Sequence, residues 1–316
     1  MTISELIKKG MIELKNGNIE EPKLKARLLM QYVLNKSRQY VIVNDREELD
    51  NIKEKQYLEE IKILKKGVPI EHITHQKEFM KLSFFVDKNV LIPRQDTEIL
   101  VEEVINIAKK NNAKKILDLC TGSGAIAVSL AKYLPQAEIT AIDISNEALK
   151  IAKKNAISNN VENQITFISS DMFTNLNEEK FDIIVSNPPY IKTNVIKNLD
   201  IQVQNEPYIA LDGGKDGLDF YKKIINESYQ YLKYNGYLCL EIGFDQKIDV
   251  IELIENTESF TGTYSKKDLF DNDQTMILTS TRTNQNDTVL EQVALCPINN
   301  LLPLLRRAFV YDQVLR

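Results

Sequence analysis

Over roughly the first 80 residues the apolar positions recur at intervals of three and four, the spacing of amphipathic helices. Ile3, Leu6, Ile7 and Leu14 form one stripe. Pro22 marks the start of a second helix, whose stripe carries Leu24, Leu28 and Tyr32 with Leu29 and Val33. A third, highly charged helix is predicted over Asp50 to Lys66, with Ile52, Leu58, Ile61 and Leu64, and Gly67 and Pro69 stop it. Over residues 78 to 92 the pattern changes. Leu82, Phe84 and Val86 alternate with other residues, and Val90, Leu91 and Ile92 follow Asp87-Lys88-Asn89, which predicts a short hairpin joining two domains. A helix follows from about Thr97, with Leu100, Val104, Ile107 and Ala108 on one face.

From Lys115 onward short apolar runs alternate with helical patterns. The runs are Ile116 to Cys120, Glu138 to Asp143, Ile165 to Ser169, Phe181 to Ser186 and Tyr237 to Ile242; helices are predicted between them, as at Asn146 to Ala156 and Leu218 to Leu232. Strands buried on both faces and linked by helices make a doubly wound, mostly parallel α/β sheet. Ser265 to Leu269 and Met276 to Ser280, around Asp271-Asn272-Asp273, predict a hairpin that adds an antiparallel strand. No internal repeat is present. Residues 283 to 316, polar at first and then apolar with basic residues near the end, fit no part of this scheme.

Composition narrows the classes. A chain of 316 residues suggests two domains, and 43% hydrophobic with 27% charged residues is ordinary for a globular protein. No apolar run approaches the ~20 residues that span a bilayer, and Met1 to Gly10 lacks the apolar core of a signal peptide. Cys120, Cys239 and Cys296 lie too far apart for a disulfide framework or a zinc site. A cytoplasmic, reduced protein is expected. The net charge of −5 and pI near 5.4 lower the odds of a nucleic-acid substrate, because duplex binding favours a basic face. His72 and His75 have no further ligand cluster around them, so no metal is expected.

Three motifs carry chemistry. Asp118-Leu119-Cys120-Thr121-Gly122-Ser123-Gly124 ends the first parallel strand, where ligands of open α/β sheets bind. Its glycines permit close backbone approach, but it is neither Gly-x-Gly-x-x-Gly nor a P-loop. That favours an uncharged or amino-acid moiety over a phosphate, with a plain strand-to-helix turn as the alternative. Asp143 ends the second strand, about 20 residues on, where an acid accepts from both ribose hydroxyls; the other reading is a helix N-terminal acid favoured by the dipole. Asp171-Met172-Phe173 ends the third strand. Asp171 is placed to meet an adenine amino group and Met172 to pack on the ring, or the segment is simply a polar loop. The third motif is Asn187-Pro188-Pro189-Tyr190. Two prolines freeze φ and remove two backbone donors, leaving the Asn187 side-chain oxygen and backbone carbonyls as acceptors for a planar NH2 group. Tyr190 adds an aromatic face. Such an array orients a nitrogen lone pair and stabilises the positive charge that grows on it.

At these residues the chain resembles the S-adenosylmethionine-dependent methyltransferases. The Asn-Pro-Pro-Tyr motif is shared by N6-adenine DNA methylases, some ribosomal-RNA guanine methylases and protein glutamine methyltransferases. Three further segments are similar to the peptide chain release factor glutamine methyltransferases: Pro69-Ile70-Glu71-His72-Ile73, Phe79 to Arg94 followed by Asp96-Thr97-Glu98, and Glu206 to Leu218. The resemblance covers roughly residues 1 to 282, with Gln95 and Cys120 standing where that family has proline and glycine.

The resemblance implies a seven-stranded doubly wound methyltransferase sheet with a small N-terminal helical domain. The divisions are residues 1–77, helical and recognising substrate; 78–95, a hairpin linker; 96–282, the methyltransferase domain; and 283–316, a tail of unknown role. It implies N5-methylation of the glutamine in the Gly-Gly-Gln motif of release factors, with S-adenosylmethionine as donor. Asn187 and the Pro188 carbonyl would hold the amide, and Pro189 and Tyr190 would complete the substrate site. Asp118, Cys120, Thr121, Gly122, Ser123, Gly124, Asp143, Asp171, Met172 and Asn187 would bind the cofactor. A monomer without stable nucleic-acid or membrane binding is expected. An N6-adenine or other exocyclic-amine nucleic-acid methyltransferase is the rival, but should carry a basic target-recognition domain. A non-enzymatic nucleoside-binding scaffold would not need the intact Asn-Pro-Pro-Tyr, and a dinucleotide dehydrogenase would need its own glycine spacing.

Overall fold

The computed structural model describes residues 1–257, 259–267 and 272–280. The segment 283–316 lies outside the described residues, as do Leu269 and Cys296. The chain begins with α1 (Ile3–Asn16), α2 (Pro22–Leu34), α3 (Arg38–Val43), α4 (Asn51–Lys65) and α5 (Ile70–Thr74). The Thr2 hydroxyl and the Glu5 carboxylate close a capping box at α1. Ser37 and Asp50 cap α3 and α4.

These helices bury a core of their own: Ile3, Leu6, Leu14, Ala26, Leu29, Met30, Val33, Tyr57, Ile61 and Leu64 among others. The Tyr57 hydroxyl, inside it, donates to the Ala26 carbonyl at 3.1 Å. The α2 stripe differs from the pattern expected. Leu24, Leu28 and Tyr32 are exposed, and the buried face runs through Ala26, Leu29, Met30 and Val33. Two apolar stripes share this helix, one turned to α1 and α4 and the other to solvent. Ile52 is also exposed, and the buried face of α4 runs through Tyr57, Ile61 and Leu64.

The linker hairpin is β1 (Lys77–Phe79) paired with β2 (Leu82–Phe84). Its turn lies at Met80-Lys81, both in the left-handed region, and not at Asp87-Lys88-Asn89. Positive φ at two successive turn positions matches the right-handed twist of the flanking strands. No glycine or asparagine signals it in the sequence. Beyond the hairpin, Asn155 and Asn159 hold the chain down: Asn155 exchanges bonds with both Phe85 backbone groups, and Asn159 donates to the Ser83 carbonyl.

The remainder is α6 (Thr97–Asn111), β3 (Lys115–Leu119), α7 (Ala125–Tyr133), β4 (Glu138–Asp143), α8 (Asn146–Ser158), β5 (Ile165–Ser169), β6 (Phe181–Ser186), α9 (Thr193–Ile196), α10 (Ile201–Gln204), α11 (Asp219–Ser228), β7 (Leu232–Glu241), α12 (Lys247–Glu255), β8 (Phe260–Lys267) and β9 (Asp273–Ser280). The seven strands order as β5-β4-β3-β6-β7-β9-β8, parallel up to β7 and antiparallel for β9 and β8. The sheet is therefore the seven-stranded doubly wound one expected. Successive residues point to opposite faces. Ile116, Ile183, Val185, Cys239 and Ile277 pack with α6 and α7, while Leu117, Ile184, Leu238, Leu240 and Leu278 pack with α11 and α12. β7 is longer than its apolar run suggests, because Leu232 pairs with Phe181 across a register shift. Among the described residues no helix is long and apolar enough to cross a membrane.

Candidate active site

The strand order reverses between β3 and β6, which are hydrogen-bonded neighbours. In such sheets ligands bind at the carboxyl ends of the strands beside this switch point. The glycine-containing loop leaves β3 here, and Asn187-Pro188-Pro189-Tyr190 leaves β6. The Ser186 hydroxyl ties them together by donating to the Leu119 carbonyl at 2.8 Å. Between them opens a cavity lined by Cys120, Gly122, Ile142, Asp143, Asp171, Met172, Asn187 and Pro189. Asn89, Val90 and Leu91 of the linker, Ile209 and Ala210, and Phe220 complete the wall.

On one side the cavity offers what a nucleoside needs. Asp143 accepts from the Gly122 and Ser145 backbone N–H groups, both at 2.8 Å. Burial pushes its carboxyl up, and those backbone bonds work the other way. A carboxylate has about four lone-pair sites, so Asp143 keeps capacity to accept from a ligand hydroxyl in the cavity it lines. Asp171 is exposed at the rim, with Lys223 at 2.9 Å. Met172 is buried and presents a soft apolar surface. Its sulfur lies 3.8 Å from that of Cys120. Both residues have positive φ. The apolar walls and flanking carboxylates fit a nucleoside with a cationic centre, as in S-adenosylmethionine.

Four of the expected cofactor residues stand behind this surface and are not part of the lining. Asp118 is fully buried and accepts from the Thr121 hydroxyl at 2.6 Å and the Ala127 N–H at 3.2 Å. Thr121 and Ser123 are buried too. Gly124 has φ +79°, and a Cβ there would lie 3.0 Å from the Ala152 Cβ, so this glycine lets α8 approach closely. Asp118 and Thr121 thus shape the loop from below, and Asn155 braces it by donating to the Ser123 carbonyl at 2.8 Å.

On the other side stands the acceptor array. The Asn187 side-chain NH2 donates to the Thr97 hydroxyl at 3.2 Å, which leaves the Asn187 Oδ1 free to accept. Pro188 and Pro189 are buried, and Pro189 lines the cavity. Tyr190 is half-buried outside the lining, and its hydroxyl lies 3.4 Å from Glu241 Oε1. Burial pushes the Tyr190 hydroxyl up. The Tyr190 carbonyl accepts from Gln246 at 3.0 Å, which fixes the far end of the turn.

Sequence reasoning passed over several of these groups. Glu241 ends β7, fully buried, and burial pushes its carboxyl up to about 7. A carboxylate inside the apolar run Leu238-Cys239-Leu240-Glu241-Ile242 is a signal that was available. Thr97 lies in the segment Asp96-Thr97-Glu98 that carries the family resemblance, but a threonine at a helix start is common and nothing in the sequence attached it to the site. Glu206, almost fully buried, accepts from the Ile92 N–H at 2.8 Å and pairs with Arg94, tying the linker to the loop after the Asn-Pro-Pro-Tyr turn. His72 is buried and His75 stacks on Phe85; among the described residues no group of potential ligands could hold a metal ion.

Comparison with known proteins agrees with this layout. The family described as PrmC N-terminal domain matches residues 5–74, and the Methyltransferase small domain matches residues 95–202. A "Release factor glutamine methyltransferase" of Clostridium acetobutylicum is 43% identical over 271 residues, 85% of this chain and 95% of that one. Its counterpart from Clostridium botulinum is 39% identical over 277 residues, 87% of this chain and 98% of the relative. Among solved structures, the hMettl16 catalytic domain in complex with a MAT2A 3′UTR hairpin superposes with a TM-score of 0.52 at 17% identity, covering 65% of this chain and 77% of that one. That likeness is one of fold.

Proposed function

The chain belongs to the family of release factor glutamine methyltransferases, and from that premise we propose how its own residues carry out the transfer. The protein moves a methyl group from S-adenosylmethionine to a glutamine of peptide chain release factors. Asp143 receives the ribose, Met172 and Ile142 flank the base, and Asp171 faces the adenine amino group. The glutamine side chain enters against Asn187 and the Pro188 carbonyl. The methyl donor supplies an electrophilic carbon on a sulfonium; the remaining work falls to the protein.

The observation that carries this reading is the Asn187–Thr97 hydrogen bond. It commits the Asn187 NH2 group and turns Oδ1 toward an incoming donor. A primary amide NH2 has two protons, and Oδ1 with the Pro188 carbonyl gives two acceptors. An amide nitrogen is a poor nucleophile because its lone pair is delocalised. Holding both protons rotates and aims that lone pair, and the acceptors stabilise the positive charge as the new bond forms. The proton becomes acidic once the methyl is bound, so no strong base is required beforehand. The Gly-Gly-Gln glutamine is the substrate residue we assign, with the N5 nitrogen as acceptor and the helical segment 1–77 as the part that selects the factor.

The test is mass spectrometry of a release factor after incubation with the protein and S-adenosylmethionine. One added methyl on the Gly-Gly-Gln peptide is expected. Asn187→Ala should lower the single-turnover rate ~10²–10³-fold with a much smaller effect on cofactor affinity. Asn187→Asp keeps an acceptor and should retain more activity than the alanine variant at neutral pH. Both variants running as fast as the parent would remove Asn187 from the mechanism.

A further inference from the structure

One buried group at the site has no part in the mechanism above. Glu241 is the last residue of β7, and its side chain shares a face with Cys239, turned toward the helix that opens at Thr97. The residue is 1% exposed. Its Oε1 lies 3.4 Å from the Tyr190 hydroxyl, and among the described residues its Oε2 has no hydrogen-bond partner within 3.5 Å. Thr97, which receives the Asn187 NH2, and Asn187 itself both act to favour its ionised form. Glu241 therefore touches the Asn-Pro-Pro-Tyr turn at both ends, beneath the surface that meets substrate.

Such a carboxylate is costly. A buried charged group without a full set of partners destabilises the fold, and a glutamine or leucine would satisfy β7 more cheaply. Strand geometry gives no reason for an acid here, since the backbone pairs with Thr275 whatever the side chain is. What the acid supplies is negative charge just behind the two acceptors, at the place where the amide nitrogen becomes cationic.

We propose that Glu241 is a positioning residue of methyl transfer, whose ionised carboxylate orients Tyr190 and the Thr97–Asn187 pair and provides the buried negative charge against which the cationic amide nitrogen forms. The inference rests on the reading of Asn187 given above. The groups facing the Glu241 side chain are Asp96 and Thr97 at the start of α6 and Asn187 and Tyr190 on the turn, while Tyr221 on α11 and Thr275 on β9 meet its backbone. Asp96 adds a like charge that opposes ionisation, and the Tyr221 hydroxyl is engaged by the Glu241 backbone carbonyl at 3.1 Å. Arg94 acts on Tyr190 from the linker side. Burial holds the Glu241 carboxyl near 7, so its charge appears as pH rises through neutrality.

The experiment is single-turnover methylation of intact release factor between pH 5.5 and 8.5 by the parent, Glu241→Gln and Glu241→Asp, with cofactor affinity measured by calorimetry. The parent rate should rise with pH through about 7. Glu241→Gln is nearly isosteric; it should lose that rise, fall ~10–100-fold in rate at pH 8 as for other residues that orient an active-site group, and bind cofactor within about twofold of the parent. Glu241→Asp should recover part of the rate and the pH dependence. A parent profile flat across neutrality, or a Glu241→Gln profile parallel to the parent's, overturns the proposal, and the parent measurement decides even where a variant folds poorly. Loss of methylation by the parent itself would instead overturn the substrate reading, so the two failures are distinguishable.

Discussion

Asp118 and Glu241 are two fully buried carboxylates at the carboxyl ends of β3 and β7, and burial pushes each up to about 7. They bear on stability in a definite direction. The folded state of Asp118 keeps its proton to about 7, while the unfolded chain loses it near 3.8. Between those values unfolding releases a proton, so stability falls as pH rises through this window and stays low above it. Asp182 and Asp216, lowered by lysine and backbone partners, and Asp273, lowered first by the Ser265 hydroxyl and then by Lys247, lose their contribution only as pH falls below 3.8, outside the window. Asp118→Asn keeps an acceptor for Thr121 and Ala127 and cannot ionise. Calorimetric melting between pH 5 and 8 should show the difference in favour of the variant growing with pH; parallel profiles would contradict the assignment. Residues of this kind mark where the sequence was readable and where it was not. Asp143, Asp171, Asn187 and Pro189 were placed by motif position at strand ends, and all four line the cavity. Asp118, Thr121, Ser123 and Gly124 belong to the same motif, yet alternation along β3 and the turn after it puts them beneath the surface. Thr97 and Glu206 come from distant parts of the chain, and no local pattern links either to Asn187 or Arg94.

At the scale of elements, the linker matters most, because Asn89, Val90 and Leu91 form part of the cavity wall. Its path is held by Glu206, whose carboxylate receives the Ile92 N–H and the Arg94 guanidinium. The Glu206 side chain is 2% exposed and that of Arg94 37%. Removing the exposed partner strands the buried one. Arg94→Ala should therefore cost about 3 kcal/mol, and replacing both residues, as Arg94→Met with Glu206→Gln, should cost less than the single change because no charge is then left buried. Urea unfolding of the parent and the two variants gives the comparison; a double variant no more stable than Arg94→Ala would show that the ion pair is not what holds the linker. The sheet itself was legible because a strand covered on both faces has few alternatives to an unbroken apolar run. β4, β5 and β6 fall where those runs fall. The linker hairpin was legible in kind and misplaced in register, since Met80 and Lys81 adopt positive φ without the usual asparagine or glycine. α3 and α5, at six and five residues, are too short for a periodic signal.

At the scale of the whole molecule the question is how a helical segment with its own core influences chemistry on the sheet. The connection runs through the loop after the Asn-Pro-Pro-Tyr turn. Lys25 on α2 donates to the Gln202 side chain at 2.9 Å, and the Asn205 side-chain NH2 donates to the Gly67 carbonyl at 3.1 Å. The same loop then supplies Glu206 to the linker and Ile209 and Ala210 to the cavity wall. In the function proposed above, selection of the release factor by the helices and the cavity wall that meets its glutamine share one stretch of backbone. Gly67 is the point at which to test this. Its φ is +92°, and a Cβ there would lie 2.6 Å from Ile201 Cγ1 on α10. Gly67→Ala must strain the turn and displace the Ile201 side chain and the Asn205 amide that meets Gly67, at a cost of about 1–3 kcal/mol. Asp143, at the end of β4, and Asp171 and Met172, just after β5, to which the cofactor is assigned above, lie elsewhere on the sheet and should be undisturbed. Methylation of intact release factor should fall severalfold, through KM more than through kcat, while calorimetric affinity for S-adenosylmethionine stays within about twofold of the parent. Equal weakening of both would mean that the substitution has loosened the whole fold; no change in either would mean that α10 and the helices meet without functional coupling, leaving the helical segment to act only by holding the substrate protein in place.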